Sequence, residues 1–100
     1  MKQVTPEQLR QLMQMEPALV LVDVREVHEH EDFNIGGLLC PLSELFDHVQ
    51  EIPKDKPVVV YCKMGIRSQI AIQRLEQRYQ FSNLVNLRGG IEAWKHSSPD

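Results

Sequence analysis

Two short apolar runs, residues 19–24 and 58–61, constrain the fold of this chain more than any other feature of its sequence. Neither run alternates apolar with polar residues, and this is typical of strands that are buried on both faces of a parallel sheet. Because consecutive parallel strands need crossover connections, usually helical, helices must cover the faces of such a sheet. The two runs therefore predict an α/β fold.

Helical patterns separate the strand-like runs. Thr5 and Pro6 supply a capping residue and a proline at the first helical position, so a helix is predicted over residues 6–15. Further helices are predicted over residues 25–33, 43–52, 68–79 and 91–95, the second of them capped and amphipathic, and further strands over residues 38–40 and 84–87. This alternation predicts a single domain over residues 1–100, a three-layer sandwich with a central parallel sheet flanked by helices and right-handed crossovers.

Charge and hydropathy exclude several classes of function. The formal net charge is -3, with 11 Lys and Arg against 14 Asp and Glu, so the chain lacks the positive charge that nucleic-acid binding requires. Its apolar runs are far shorter than the roughly 20 residues of a membrane helix, and its first residues do not resemble a signal peptide. We expect no nucleic-acid partner, no membrane partner and a cytoplasmic location, where free thiols are the rule.

The segment that follows the second apolar run, CKMGIRS at residues 62–68, is the candidate active site. Open parallel sheets form their sites at the carboxyl ends of strands, and Cys62 stands there. Loop N–H groups and the start of the next helix favour a bound anion, while Gly65 lets the loop turn tightly. With Lys63 and Arg67 nearby, we expect Cys62 to be a reactive thiolate at neutral pH.

A cysteine at the end of a buried strand can also be no more than a small apolar residue. The combination of Gly65, Arg67 and Ser68 between a strand and a helix favours the nucleophile, because it supplies the structural context that such a motif requires.

Four separated segments carry a more specific pattern: LVDVRE at residues 21–26, NIGG at 34–37, CKMGIRS at 62–68 and NLRGGIEAW at 86–94. In this order, and over nearly the whole chain, they resemble the rhodanese homology domain, a sulfurtransferase module. The resemblance implies that Cys62 accepts a sulfane sulfur as a persulfide and passes it to a nucleophile. It implies no metal and no organic cofactor.

The residues around Cys62 have expected roles as well. The loop that binds the substrate and the persulfide consists of Lys63, Met64, Gly65, Ile66 and Arg67. Asp23, Arg25 and Ser68 are candidate supporting residues. The donor is expected to be a small anion such as thiosulfate, or a protein persulfide.

A narrower resemblance concerns the partner. The segments NIGG and LCPL, at residues 34–37 and 39–42, look like those of rhodanese domains fused behind the adenylating enzymes of molybdopterin and thiamine biosynthesis. This implies a small sulfur-carrier protein or an adenylating enzyme as partner, with this chain as a free-standing or excised domain. Asn34 and Gly36 stand where the family usually has histidine and proline, which affects only the local turn.

Two other functions compete with sulfur transfer. A phosphatase is disfavoured because four residues separate Cys62 from Arg67, whereas tyrosine phosphatases place five there to surround a phosphate. A non-catalytic binding or regulatory module is the second alternative. Its signature would be a missing nucleophile, and Cys62 is present.

Other noticeable residues have mainly structural interpretations. Cys40 is expected to pack in the core, with a resolving thiol as the alternative, and Trp94 is expected to anchor the last helix. The segment HEHE at residues 28–31 is interpreted as a solvated acidic helix and not a metal site. Asp23 and Arg25 either orient the active-site loop or pair with each other, and we favour a structural role.

Overall fold

The computed structural model, which describes residues 1–97, contains one five-stranded sheet in which all strands are parallel. The strands are β1 (Gln3–Val4), β2 (Val20–Asp23), β3 (Leu38–Leu39), β4 (Val58–Tyr61) and β5 (Leu84–Leu87). The α-helices are α1 (Pro6–Met15), α2 (Val27–Asp32), α3 (Arg67–Tyr79) and α4 (Gly90–Lys95). The strand order β1-β5-β4-β2-β3 places β4 in the centre and confirms the predicted α/β class with a parallel sheet flanked by helices.

Strand β4 shows why its sequence does not alternate. Val58, Val60 and Cys62 pack on one face of the sheet against α3 and the segment Leu42–Glu51. Val59 and Tyr61 pack on the other face against α1 and α4. Each of these side chains is at most 2% exposed, and burying one such aliphatic side chain contributes about 1.5–3 kcal/mol. The strand is therefore apolar throughout because both of its faces are covered.

Helix α1 begins and ends where the sequence predicts. The Thr5 hydroxyl accepts a hydrogen bond from the Gln8 backbone N–H at 3.1 Å, and the Gln8 side chain accepts one from the Thr5 N–H at 2.9 Å. This reciprocal pair satisfies two backbone donors that a helix start leaves free. The helix buries Leu9 beneath the sheet.

The prediction of a capped α-helix over residues 43–52 is wrong in type. Leu42–Glu51 is a 3₁₀-helical segment with non-helical backbone at Glu44, and the residue before it, Pro41, makes no side-chain capping bond. The Leu42 N–H donates to the Val24 carbonyl at the end of β2, and the Glu44 N–H donates back to Pro41. The bond from Glu44 to Pro41 joins residues three apart, which is 3₁₀ geometry.

Strand β1 was not predicted, because two residues at a sheet edge carry no readable pattern. Gln3 and Val4 pair with Asn86 and Leu87 of β5. Backbone bonds from Asn86 to Lys2 and from Arg88 to Val4, each 2.9 Å long, hold this edge in register.

The longest α-helix of the described chain, α3, has 13 residues. Within residues 1–97, no helix has both the length and the apolar character needed to cross a bilayer.

Candidate active site

Cys62 lies directly after the central strand, at its carboxyl end, and its sulfur is surrounded by hydrogen-bond donors. Its Sγ accepts the backbone N–H of Gly65 at 3.1 Å and that of Ser68 at 3.3 Å. The residue is 1% exposed. Backbone donors that converge on one atom favour negative charge there, and the start of α3 adds the positive end of its helix dipole. The arrangement suits an anionic sulfur.

The loop turns around the sulfur at Gly65. Its φ of 88° lies in the left-handed region, and an added Cβ would approach the Gly89 nitrogen to 3.1 Å. The Gly65 carbonyl accepts a hydrogen bond from the Gln69 side chain at 2.8 Å. These contacts hold the Gly65 N–H in its direction toward Cys62.

The start of α4 fixes the loop from the other side. The Ile91 N–H donates to the Cys62 carbonyl at 2.9 Å, and the Glu92 N–H donates to the Lys63 carbonyl at 3.0 Å. Gly90 permits this approach, because a Cβ there would lie 2.5 Å from both carbonyl oxygens. The sequence analysis assigned no function to the glycine pair at residues 89–90. Two glycines before a short helix were the available signal of a close backbone approach.

Ser68 and Asn86 form a buried polar pair beside the sulfur. The Ser68 Oγ lies 3.3 Å from the Cys62 Sγ and makes a short hydrogen bond to the Asn86 Oδ1. Both polar residues are fully buried. The sequence named Ser68 as a supporting residue but missed Asn86, whose signal was a single polar residue inside the strand segment LVNL.

Arg67 is bound by a carboxylate of helix α2. Its Nη1 and Nη2 lie 2.7 Å and 2.9 Å from the two carboxylate oxygens of Glu29. The Arg67 hydrogen bonds lower the pKa of Glu29 to about 2, and the same bonds raise the pKa of Arg67. The prediction that residues 28–31 are only a solvated acidic helix is therefore wrong at Glu29. Arg67 joins the active-site loop to α2.

Asp23 and Arg25 pair with each other at the end of β2. The Arg25 Nε and Nη2 each lie 2.9 Å from a carboxylate oxygen of Asp23, and both residues are at most 4% exposed. The same Asp23 carboxylate lies 2.8 Å from the His30 Nδ1, so His30 also departs from the predicted solvated face. Arg25 in addition donates to the Phe33 carbonyl at 2.7 Å. These contacts fix the turn between β2 and α2.

The outer surface of the loop carries Lys63, Met64 and Ile66, all exposed. Met64 is 56% exposed and Ile66 is 64% exposed, so two apolar side chains two positions apart stand at the loop surface. Lys63 lines a cleft between α2 and α4 that carries charges of both signs, from Arg25, Lys95, Glu29, Asp32 and Glu92. The loop thus presents two apolar side chains and one ammonium group to whatever approaches the sulfur.

Cys40 and Trp94 occupy the core, as predicted. Cys40 is fully buried, and burial raises the pKa of its thiol to about 11. Both Cys40 and Cys62 are free thiols. Trp94 is 9% exposed and packs with the apolar residues beneath α1 and α4, with the Arg10 guanidinium 3.8 Å above its ring. Among residues 1–97, no group of three or more His, Cys, Asp or Glu could hold a metal ion.

Comparison with known proteins places the chain in a family. The family model described as "Rhodanese-like domain" matches residues 5–97. The chain is 37% identical to the probable adenylyltransferase/sulfurtransferase MoeZ of Mycobacterium tuberculosis over 97% of its own length, but it spans only 26% of that protein. It is 36% identical to a sulfurtransferase of Allochromatium vinosum, covering 97% of this chain and 92% of the relative. The thiosulfate sulfurtransferase GlpE of Coxiella burnetii is 35% identical over 81% of this chain and 76% of its own length.

Solved structures show the same fold. A rhodanese-related protein from Thermoplasma volcanium superposes with a TM-score of 0.83 at 28% identity, covering 96% of this chain and 92% of its own. A rhodanese-like domain protein from Staphylococcus aureus gives a TM-score of 0.84 at 26% identity, covering 94% and 91%.

Proposed function

The chain belongs to the rhodanese-like domain family, and from this we propose that it is a sulfurtransferase whose sulfur-carrying residue is Cys62. One observation carries the proposal: the Cys62 sulfur lies at the carboxyl end of the central strand and accepts the N–H groups of Gly65 and Ser68. Nucleophilic catalysis by cysteine needs a thiolate, and converging backbone donors stabilise negative charge on sulfur.

The reaction proceeds in two displacements. The Cys62 thiolate attacks the outer sulfur of thiosulfate, a new S–S bond forms, and sulfite leaves with the electron pair of the S–S bond that breaks. The product is a Cys62 persulfide. An acceptor, either a thiolate or cyanide, then attacks the outer sulfur of the persulfide, and Cys62 leaves as a thiolate. Neither step requires a metal or an organic cofactor, since each is a displacement at sulfur with a stable leaving group, and the N–H groups of Gly65 and Ser68 stabilise the Cys62 thiolate.

The residues around the loop suggest the kinds of donor and acceptor. Lys63 is an exposed ammonium group that attracts a small anionic donor such as thiosulfate. Met64 and Ile66 offer apolar contacts that a small anion cannot use, and they support a protein partner. A small sulfur-carrier protein or an adenylating enzyme fits this role, since the relative MoeZ is named as an adenylyltransferase and a sulfurtransferase. We place the reaction in the cytoplasm.

Mass spectrometry of the intact protein after thiosulfate treatment tests the proposal. The wild type is expected to gain one sulfur atom, and the gain is expected to disappear in Cys62→Ser. Cys40→Ser is the matched control, because Cys40 is a second free thiol that lies buried in the core. Loss of the added sulfur in Cys40→Ser would show that Cys40, and not Cys62, carries the sulfur. A wild type that gains no sulfur would favour a non-catalytic binding module.

A further inference from the structure

The hydrogen bond between Ser68 and Asn86 controls a proton that faces the Cys62 sulfur. Ser68 has a single hydroxyl hydrogen and two possible acceptors: the Cys62 Sγ at 3.3 Å and the Asn86 Oδ1, to which its hydrogen bond is short. All three residues are at most 1% exposed, so bulk water does not compete for this hydrogen.

The orientation of the Asn86 amide decides which acceptor is used. Its Nδ2 faces two oxygen atoms, the Gln3 Oε1 at 3.4 Å and the Gly65 carbonyl oxygen at 3.5 Å. Because both of these are acceptors, the amide presents its NH₂ group to them and its oxygen to Ser68. An amide oxygen carries no hydrogen, so the Ser68 hydroxyl must be the donor in that bond.

The consequence lies at the sulfur. While Ser68 donates to Asn86, it turns a lone pair toward Cys62, and a lone pair accepts the hydrogen of a thiol but repels a thiolate. The N–H groups of Gly65 and Ser68 act in the opposite sense, because they favour the thiolate. To donate to the thiolate as well, the Ser68 hydroxyl would have to abandon Asn86 and leave a buried amide oxygen unpaired, which is costly.

We propose that Asn86 is a positioning residue that acts on the nucleophile, Cys62, through Ser68. Asn86 holds the Ser68 hydroxyl hydrogen away from the Cys62 sulfur. This inference rests on the proposed role of Cys62 as the sulfur carrier. Keeping the Ser68 hydrogen away from the sulfur is of chemical benefit because a thiolate becomes less nucleophilic as it becomes more stable. At a pH where the Cys62 thiolate is already formed, a third donor would only stabilise it further and make it attack a sulfur donor more slowly.

The rate of Cys62 alkylation by iodoacetamide, measured as a function of pH, tests the role of Asn86. In Asn86→Leu the Ser68 hydroxyl is free to donate to the thiolate, and the midpoint of the profile is expected to move to lower pH by about half to one unit, the effect of one added hydrogen bond to a charged group. The plateau rate at high pH is expected to fall about twofold to threefold, because the thiolate is then more stable. Mass analysis of the peptide that contains Cys62 separates its alkylation from that of Cys40.

Three further variants make the result decisive. Asn86→Ala removes the same amide with a smaller side chain and is expected to shift the midpoint in the same direction, so the test survives if the leucine does not fit. In the double variant Asn86→Leu/Ser68→Ala the shift is expected to vanish, because no hydroxyl remains. Asn83→Leu is the matched control, since Asn83 bonds the Pro53 and Lys56 carbonyls near the opposite end of β5 and is expected to leave the profile unchanged.

An unchanged or raised midpoint in both single Asn86 variants overturns the proposal, as does a shift that persists without the Ser68 hydroxyl. The alkylation profile requires no sulfur donor, so it remains informative even if thiosulfate fails to add sulfur to Cys62. Failure of the proposed function and failure of this inference are thereby distinguished.

Discussion

Arg67, the first residue of α3, holds both carboxylate oxygens of Glu29 on α2, at 2.7 Å and 2.9 Å. The pair connects the end of the active-site loop to a helix that follows a different strand of the sheet. Arg67 is thereby fixed as a structural element of the loop, and Lys63 remains the exposed cation of the loop.

Replacing Glu29 by glutamine tests the stabilising effect of this pair and its pH dependence. The pKa of Glu29 is about 2 in the folded protein, below its ordinary value of 4.5. A depressed pKa stabilises the folded state above about pH 4.5, and this stabilisation is lost as the pH falls toward 2. Urea unfolding at neutral pH is expected to show a loss of about 1 kcal/mol in Glu29→Gln, less than is usual for charged hydrogen bonds because Arg67 is one-third exposed.

The same variant is expected to lose less stability than the wild type between pH 4.5 and pH 2. Glu76→Gln, which removes an exposed carboxylate from α3, is the control. A pH dependence of unfolding that is identical in wild type and Glu29→Gln would show that the ion pair does not contribute in solution.

Lys63→Ala and Arg67→Ala are expected to impair thiosulfate turnover in different ways. Lys63 is an exposed ammonium group, so its removal is expected to raise KM a few-fold at low salt and much less at high salt. Removal of Arg67 severs the link to Glu29 and disturbs the loop, so kcat is expected to fall about tenfold or more at both ionic strengths. Steady-state kinetics at low and high salt measure both effects. Equal defects that salt abolishes in both variants would make Arg67 only another surface charge.

Gly90→Ala is expected to damage both the loop and the fold. The added Cβ would lie 2.5 Å from the carbonyl oxygens of Cys62 and Lys63, on a backbone with a φ of 63°. We expect a loss of about 2–4 kcal/mol in urea unfolding and a large drop in sulfur transfer.

The matched control for Gly90 is Gly36→Ala. Gly36 has a φ of 96°, but nothing lies within 4 Å of its added Cβ, so the variant carries backbone strain without a clash. A loss of about 1–2 kcal/mol with normal sulfur transfer is expected there. If both variants behave alike, strain alone explains Gly90, and its contact with the loop carbonyls is unimportant.

Insertion of one glycine between Gly65 and Ile66 tests the size of the loop. The insertion separates the Gly65 N–H from the Ser68 N–H, and the two could no longer converge on one sulfur atom. Sulfur transfer, followed as persulfide formation on Cys62, is expected to weaken strongly. A glycine inserted between Asp55 and Lys56, in an exposed loop before β4, controls for the effect of lengthening the chain. Undiminished transfer by the first variant would remove loop length as an argument against phosphatase chemistry.

The sequence by itself determined the fold class and the position of the candidate nucleophile, Cys62. Both faces of β4 are covered because the strand lies at the centre of the sheet, and residues 58–61 are all apolar or aromatic for that reason. Thr5 and Pro6 predicted the start of α1, because the free N–H groups of a helix start are satisfied by residues next to them in the chain. The place of Cys62 and Gly65 in the loop could also be predicted, because a strand, a loop and a helix follow one another directly in that part of the chain.

Only the tertiary structure decided what surrounds the sulfur from a distance. Glu29 is 38 residues from Arg67, and Asn86 is 18 residues from Ser68, so neither pair has a spacing that a local pattern could reveal. Only the tertiary structure explains the glycine pair at residues 89–90, because there the start of α4 donates a hydrogen bond to the Cys62 carbonyl. Local patterns report the neighbours of a residue along the chain and its burial. The partner of a buried polar group is set by how the strands order themselves in the sheet, and the linear sequence does not record that order.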